Sequence, residues 1–512
     1  MLKLFDGLKH LNTIYLKSEL KPFQFAEFIF LILVAFFIPI SWRIASYVMI
    51  GLFISTILKG VFEEGFKINP LQYNNRIIYI IFIAFWVLYA VSFVYSENSA
   101  EARVQIGKKL PFLLFSLFFL CSNLSYLTKD RVKTIMYCLI YGILTLFIIN
   151  LIWACFDILF NNNDIERLIS PYKFFKTNEI IFTKVHRAYL SLMSCLGLTF
   201  CFVEIFVSKS KKCRIFNIIV VFIMTLIPFF LTSRAGMLCT IILLLMMWLW
   251  VTFIIKKKKT GILIGMTMTA TMIAGYFMFP NSIDRITKTF DTVKNNKGDA
   301  RITINKASML VIKDNLLFGV GAGDRIDDLV KAYHSYRENK VSMMKPIGDV
   351  DIERFEESKQ TLLDSIYSKY GNNHNEEVFK YIDSISKIDG LDYSLVKDNI
   401  VEYQVAKHCI NYELNAHNQY SETIITIGIL GLLLLFGFFI IPVYLWIKNK
   451  NFDIVFFSLL FIIAFNSLFE SIFERQMGIM FFVFFYLLLF HADFCQQTTD
   501  NGQQTSSTII NE

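Results

Sequence analysis

Four short segments of this 512-residue sequence bring together side chains able to hold an anion or move a proton. The first is Thr232-Ser233-Arg234-Ala235-Gly236, set between two apolar runs. Five residues cannot carry the chain far from a bilayer, so Arg234 is expected at or just inside the interface. An arginine costs roughly 2.5–3.5 kcal/mol at the bilayer centre and seeks a partner. It reads either as a snorkelling anchor or as an anion clamp, because guanidinium donors match phosphate oxygens two at a time. The second is Arg301, in the first turn of a helical pattern that leads into Gly319-Val320-Gly321-Ala322-Gly323. Helix N-termini favour anions, and Gly319 and Gly321 permit close backbone approach to a ligand. No strand precedes the turn, so a dinucleotide fingerprint is excluded. Alone, Arg301 reads equally well as a solvated helix charge.

The third segment is Ala416-His417-Asn418-Gln419-Tyr420, immediately before an apolar run. A neutral imidazole there can take a proton from a hydroxyl, or it can simply cap and pack. The fourth, Phe469-Glu470-Ser471-Ile472-Phe473-Glu474-Arg475-Gln476, splits the last apolar stretch in two. Glu470 and Glu474 would fall one helical turn apart and could orient Arg475 or another basic group; a structural ion-pair turn is the plainer reading. His186-Arg187 is a weaker segment of the same kind. His408 and His417 have no His or Cys partner at zinc-ligand spacing, so no metal is expected.

The elements that must position these residues are apolar helices. Hydrophobic residues make up 55% of the chain, with 53 Phe, above the ~45–50% of soluble domains. They fall in runs near 24–41, 44–58, 77–95, 107–121, 134–158, 188–207, 215–231, 237–255, 260–280, 421–446, 452–470 and 478–492. Such runs match the ~20 residues that cross a bilayer as a helix, and backbone groups in lipid must pair within their own segment. The fold class is therefore all-α: a polytopic membrane protein of about 12 spans. Only Ser41-Trp42-Arg43 separates the first two runs, which could instead form a re-entrant pair.

Basic residues set the orientation. Lys129, Arg131 and Lys133, then Lys209, Lys211, Lys212 and Arg214, then the run Lys256 to Lys259, share one side if the N-terminus is cytoplasmic. The formal charge of +8 thus reads as topology and implies no nucleic acid. No cleavable signal is evident in the polar, basic first twenty residues. The nine cysteines lie mostly within spans and form no disulfide framework. The expected organisation is a first transmembrane bundle over 1–280, an extracytoplasmic helical cap over 281–420, the last helices over 421–492, and a disordered cytoplasmic tail over 493–512. In the cap, Asp299 could start a helix running through Asn315 with Ile302, Ala307, Leu310 and Val311 inward. Amphipathic stretches follow near 325–338, 353–369, 376–386 and 394–413. All four chemical segments fall on the outer side in this arrangement.

In order, Ser233-Arg234-Ala235-Gly236, then Arg301 leading to Asn315-Leu316-Leu317-Phe318-Gly319-Val320-Gly321, then His417-Asn418 before Gly428-Ile429-Leu430-Gly431, resemble the O-antigen ligase and polymerase family. The segment Phe469 to Gly478 is similar to the version in its Bacteroidota-type members. The resemblance covers mainly 215–323 and 414–490. Two features depart from it: Asp314-Asn315 stands where a proline-containing turn is usual, and 324–407 is longer than expected. The resemblance implies a GT-C-like, metal-independent, inverting glycosyltransferase of the bacterial inner membrane with its active site facing the periplasm. Its donor would be an undecaprenyl-diphosphate-linked glycan, its acceptor a lipid A-core or other glycan, and no cofactor is implied. By the same resemblance, Arg234 and Arg301 would hold the diphosphate and His417 would be catalytic, with Asn418, Gly319, Gly321, Glu470, Arg475 and His186 in support. Ligase action is the first expectation and polymerisation of lipid-linked repeats the second. A lipid-linked oligosaccharide flippase is a further alternative, although its spans would be expected to carry deep charge and these carry little. An assembly protein of the envelope would not need Arg234, Arg301 and His417 to converge.

Overall fold

The computed structural model describes residues 20–64, 75–160, 174, 187–255, 265, 300–342, 406, 408–449 and 452–495. Every regular element among them is a helix. In chain order these are α1 (Pro22–Phe37), α2 (Trp42–Lys59), α3 (Ile77–Ser92), α4 (Ser99–Cys121), α5 (Lys129–Phe160), α6 (Arg187–Val207), α7 (Lys211–Phe230), α8 (Arg234–Leu249), α9 (Ala300–Asp314), α10 (Arg325–Ser342), α11 (Gln419–Asn449), α12 (Ile454–Ser467) and α13 (Gln476–Phe490).

Eight described helices are long and apolar enough to cross a membrane, and α1, α3 and α12 are shorter apolar helices. Each lies on a run expected to span. The expected span 260–280 apart from Gly265, the amphipathic stretches 353–369 and 376–386, most of 394–413, and the tail 496–512 lie outside the described residues.

Local sequence explains several boundaries. Pro39 follows the end of α1, and the residue before a proline is disfavoured in helix. α4 starts eight residues earlier than its apolar run suggests, because Asn98 Oδ1 accepts from Glu101 N at 3.1 Å and caps it. The added turns place Glu101, Gln105 and Lys109 on one face, where each donates to the one before: Gln105 to Glu101 at 2.6 Å and Lys109 to Gln105 at 2.9 Å.

α13 is apolar all round, the mark of a helix enclosed by others. Every residue from Met477 to Phe490 is buried. It packs against α2, α4, α6 and α12. Its Phe482 and Tyr486 lie in an aromatic cluster with Phe82 of α3 and Phe438 of α11. The large apolar side chains left exposed, such as Ile148, Leu151 and Ile152 of α5, lie on the bundle's outer faces, where a lipid would meet them.

Of the cap, α9 and α10 pack on each other, and α9 packs on α11. The inward stripe of α9 is Ile304, Ala307 and Val311, joined by Tyr333 and Leu329 of α10 and by Cys409. Leu310 is 47% exposed rather than buried, because it points away from the 304–307–311 stripe. Ile302 is only half-buried, and Asp299, expected as the helix cap, lies outside the described residues.

α11 is broken near its start. Ile427 and Gly428 leave helical geometry, with Gly428 at φ 70° and ψ −166°. Only glycine visits that region freely. The freed backbone groups are taken up by the glycine turn after α9: Val320 N donates to Ile425 O at 2.7 Å, Gly321 N to Thr426 O at 3.1 Å, and Ile429 N to Leu316 O at 2.9 Å. A methyl group at Gly428 would lie 2.1 Å from the Leu317 carbonyl oxygen. The turn is also fastened to the segment between α3 and α4, where Asp324 accepts from Glu97 N at 2.8 Å and Asn98 N at 2.7 Å.

Candidate active site

Three of the four chemical segments lie at one end of the bundle and touch through named contacts. α11 begins at Gln419, with Asn418 as its cap: Asn418 Oδ1 accepts from Tyr420 N at 2.9 Å and Ser421 N at 3.3 Å. His417, just before the cap, has φ 46°, and its N–H donates to Asn415 Oδ1 at 3.2 Å. Non-glycine residues in this left-handed region cost of order 1–3 kcal/mol and concentrate at functional sites. The imidazole is half-buried, with Nδ1 3.7 Å from Glu470 Oε2. The other oxygen of that carboxylate, Oε1, lies 3.7 Å from an Nη of Arg301 at the start of α9. Both separations exceed hydrogen-bond length, but Glu470 stands between the histidine and the arginine and faces both.

Arg234 is the first residue of α8. Ser233 caps that helix by accepting from Gly236 N at 3.3 Å, and Thr232, just before it, has φ 51°. A β-branched residue at positive φ is a genuine outlier. This turn abuts the start of α6: Arg187 donates to Thr232 Oγ1 at 3.5 Å, and Gly236 faces Ser191 so closely that a methyl group would lie 1.8 Å from its hydroxyl. Tyr189, two residues before Ser191, donates to Ser471 O at 3.3 Å, next to Glu470. The Arg234 turn, the start of α6 and the Glu470 turn thus form a continuous packed edge. Arg234 itself is half-buried. His186 lies outside the described residues.

Gly319 and Gly321 are placed differently from the expectation that they would approach a ligand. Their positive φ angles, 70° and 100°, fit the turn against α11, and a methyl group at Gly319 would lie 2.6 Å from Ile425 O. Their closest neighbours are the protein's own chain. Arg475 is exposed and stands immediately before α13. The 3-10 turn Ile472–Glu474 sends Glu470 and Glu474 to different basic groups, Glu470 toward Arg301 and His417 and Glu474 to Arg325 and Lys109.

Glu474 enters a buried charge network that the sequence did not suggest. Arg325, the first residue of α10, is 4% exposed. It pairs with Glu422 of α11, with Glu474 at 2.6 Å, and more distantly with Glu101 at 3.9 Å. Lys109 of α4 is fully buried and pairs with Glu474 at 3.0 Å. Glu422 Oε2 also accepts from Ala416 N at 3.0 Å, which fixes the residue before His417. Burial by itself would raise the Glu474 carboxyl, but Arg325 and Lys109 outweigh it and hold the group down to about 2. Burial would lower the Arg325 guanidinium, yet Glu474 and Glu422 together raise it above its ordinary value. The signal available in the sequence was the charge of Lys109 and Glu422 at the edges of apolar runs, since ionisable residues near a membrane interior are functional by default. Among the described residues, no cluster of three His, Cys, Asp or Glu side chains is spaced to hold a metal ion.

The fold and this end of the bundle define a multi-pass helical membrane protein with arginine, histidine and carboxylate groups gathered at one surface. The model of the O-antigen ligase family matches residues 219–345, about a quarter of the chain, and that segment supports the resemblance to the O-antigen ligase and polymerase family. The matched stretch contains Arg234, Arg301, the glycine turn and Arg325; His417, Glu470 and Glu474 lie beyond it. No curated protein matches the chain. The matched segment supports a ligase- or polymerase-type function on lipid-linked glycans within a membrane.

Proposed function

We propose that this protein transfers a glycan from a polyprenyl-diphosphate carrier, of the undecaprenyl type, to an acceptor hydroxyl at the periplasmic face of the inner membrane, as an O-antigen ligase does. The observation that carries this reading is the Glu470 carboxylate facing both Arg301 and His417 at 3.7 Å. It links an arginine of the family-matched segment to a histidine 116 residues further along the chain.

In this reading Arg234 and Arg301 hold the diphosphate and stabilise charge as it leaves. The acceptor hydroxyl attacks the anomeric carbon from the opposite side, forming the new C–O bond as the bond to the diphosphate breaks. The configuration inverts, and polyprenyl diphosphate departs. His417 takes the hydroxyl proton. Its Nδ1 faces Glu470, which leaves Nε2 for the acceptor. A diphosphate drawing on Arg301 would release Glu470 to serve the histidine, so donor binding would prepare the base. Asn418 supports the arrangement by capping α11, and Glu422 by holding the backbone of Ala416.

Deletion of the gene, followed by gel separation of lipopolysaccharide, tests the reading. Ligase action predicts lipid A-core without polymer and accumulation of lipid-linked polymer. A single capped repeat on the core would instead assign polymerase action, and an unchanged ladder would refute both.

A further inference from the structure

The bundle end that carries Glu470 also holds a half-open cavity of about 380 Å³. Ligand pockets run from about 300 to 1,000 Å³, so it is sized for a sugar unit rather than a polymer. Its walls combine two aromatic rings, Trp42 and Tyr189, with three cations, Lys108, Arg325 and Arg475. The one acidic wall residue, Glu474, is already neutralised by Lys109 and Arg325. With Arg325 drawn to Glu422 and Glu474, Lys108 and Arg475 leave the cavity with excess positive charge beside Trp42 and Tyr189.

A second observation points to a ligand. Arg325 lines the cavity at 4% exposure, and its Nε is a buried donor with no hydrogen-bond partner among the described residues. Buried polar groups are satisfied as a rule, so the guanidinium at this wall is incompletely paired by the protein itself. The cavity is also coupled to the histidine. Asn415 lines it and accepts the His417 N–H at 3.2 Å. Neither Arg234 nor Arg301 is among its lining residues, which separates it from the groups assigned to the diphosphate.

We infer that this cavity is a subsite for a negatively charged sugar of the acceptor, held by Arg475, Lys108 and Arg325 beside His417. Binding of an acidic sugar follows from the cavity alone; its identity as the acceptor rests on the transferase reading.

The test uses full-length protein in nanodiscs and saturation-transfer NMR, with glucuronate, glucose 6-phosphate and glucose as probes. Glucuronate is expected to give a saturable signal that glucose lacks. The double change Lys108→Gln and Arg475→Gln should weaken it by at least about tenfold, the low end for losing one charge-assisted hydrogen bond. His417→Ala should leave it intact. A signal from glucose 6-phosphate alone also supports the site and makes phosphate the recognised charge. Equal signals from glucose and the charged probes, no signal from any, or indifference to the double change would overturn the inference. Acid-sugar binding that persists in a protein without transfer activity would instead count against the transferase reading and leave the subsite standing.

Discussion

His417 and Glu470 face each other across 3.7 Å, joining the segment before α11 to the turn before α13. The pair brings a proton-accepting ring and a carboxylate together from positions 53 residues apart in the chain. Arg301 on the second oxygen of the same carboxylate ties the pair to the family-matched segment.

Removing the negative charge at this junction should impair transfer without unfolding the protein, because Glu470 is only part-buried. Glu470→Gln is expected to lower the transfer rate on the order of 10²-fold, the low end of what assisted proton transfer is worth. Glu470→Asp should retain more activity than Gln. Rates on a lipid-linked glycan donor check this; equal rates for Gln and wild type would remove Glu470 from the account.

Arg234→Ala and Arg301→Ala should each abolish transfer while membrane insertion stays normal. Lysine at either position should rescue poorly, because a point charge does not reproduce the planar fork of guanidinium. Transfer assays on membranes with matched protein levels decide this, and near-normal activity in both alanine variants would contradict the diphosphate clamp.

The buried network predicts a pH signature. Glu474 is held at about 2 in the folded protein against an ordinary 4.5. A carboxyl depressed on folding stabilises the fold above its ordinary value and loses that stabilisation as pH falls toward the folded one. Thermal unfolding midpoints should therefore drop between about pH 4.5 and 2. Glu474→Gln should be less stable than wild type at pH 7 and show a shallower decline on acidification. Arg325→Met should be worse still, because removing one partner of a buried ion pair typically costs about 3–5 kcal/mol. Parallel pH curves for wild type and Glu474→Gln would contradict the assignment.

The cap is expected outside the cytoplasm. A reporter enzyme that works only in the periplasm should be active when fused after Lys340, in α10. Activity there from a cytoplasm-only reporter would place the whole candidate site on the wrong side for a lipid-linked donor.

Much of the fold was legible because membrane helices announce themselves as apolar runs of bilayer length. Each described apolar helix falls on an expected run, Arg234 and His417 stand out as ionisable groups at the mouths of such runs, and Arg301 as a charge in the first turn of a cap helix. What escaped was long-range. Arg325 read as part of an amphipathic stretch, because nothing local shows that α10 starts against Glu422 and Glu474 from elements about 100 and 150 residues away. Sequence spacing offers Glu474 its neighbour Arg475 or some other basic group without saying which, and the 3-10 turn swings it inward to Lys109. The glycine turn looked like a ligand cradle, because the kink of α11 that it fills has no signature beyond Gly428 itself. Leu310 was placed inward because a helical stripe read from sequence has no fixed rotation until its packing partner is known.

The most direct measurement of the central claim is in vitro transfer by His417 variants with a polyprenyl-diphosphate-linked glycan and an acceptor glycan. His417→Ala is expected to bind donor as wild type does but to lose transfer by about 10²–10⁴-fold, the usual contribution of general base catalysis. His417→Gln, which keeps hydrogen bonding but cannot take up a proton, should be as inactive as Ala. Substantial transfer by His417→Gln would contradict a base at this position, and wild-type rates in His417→Ala would contradict the site.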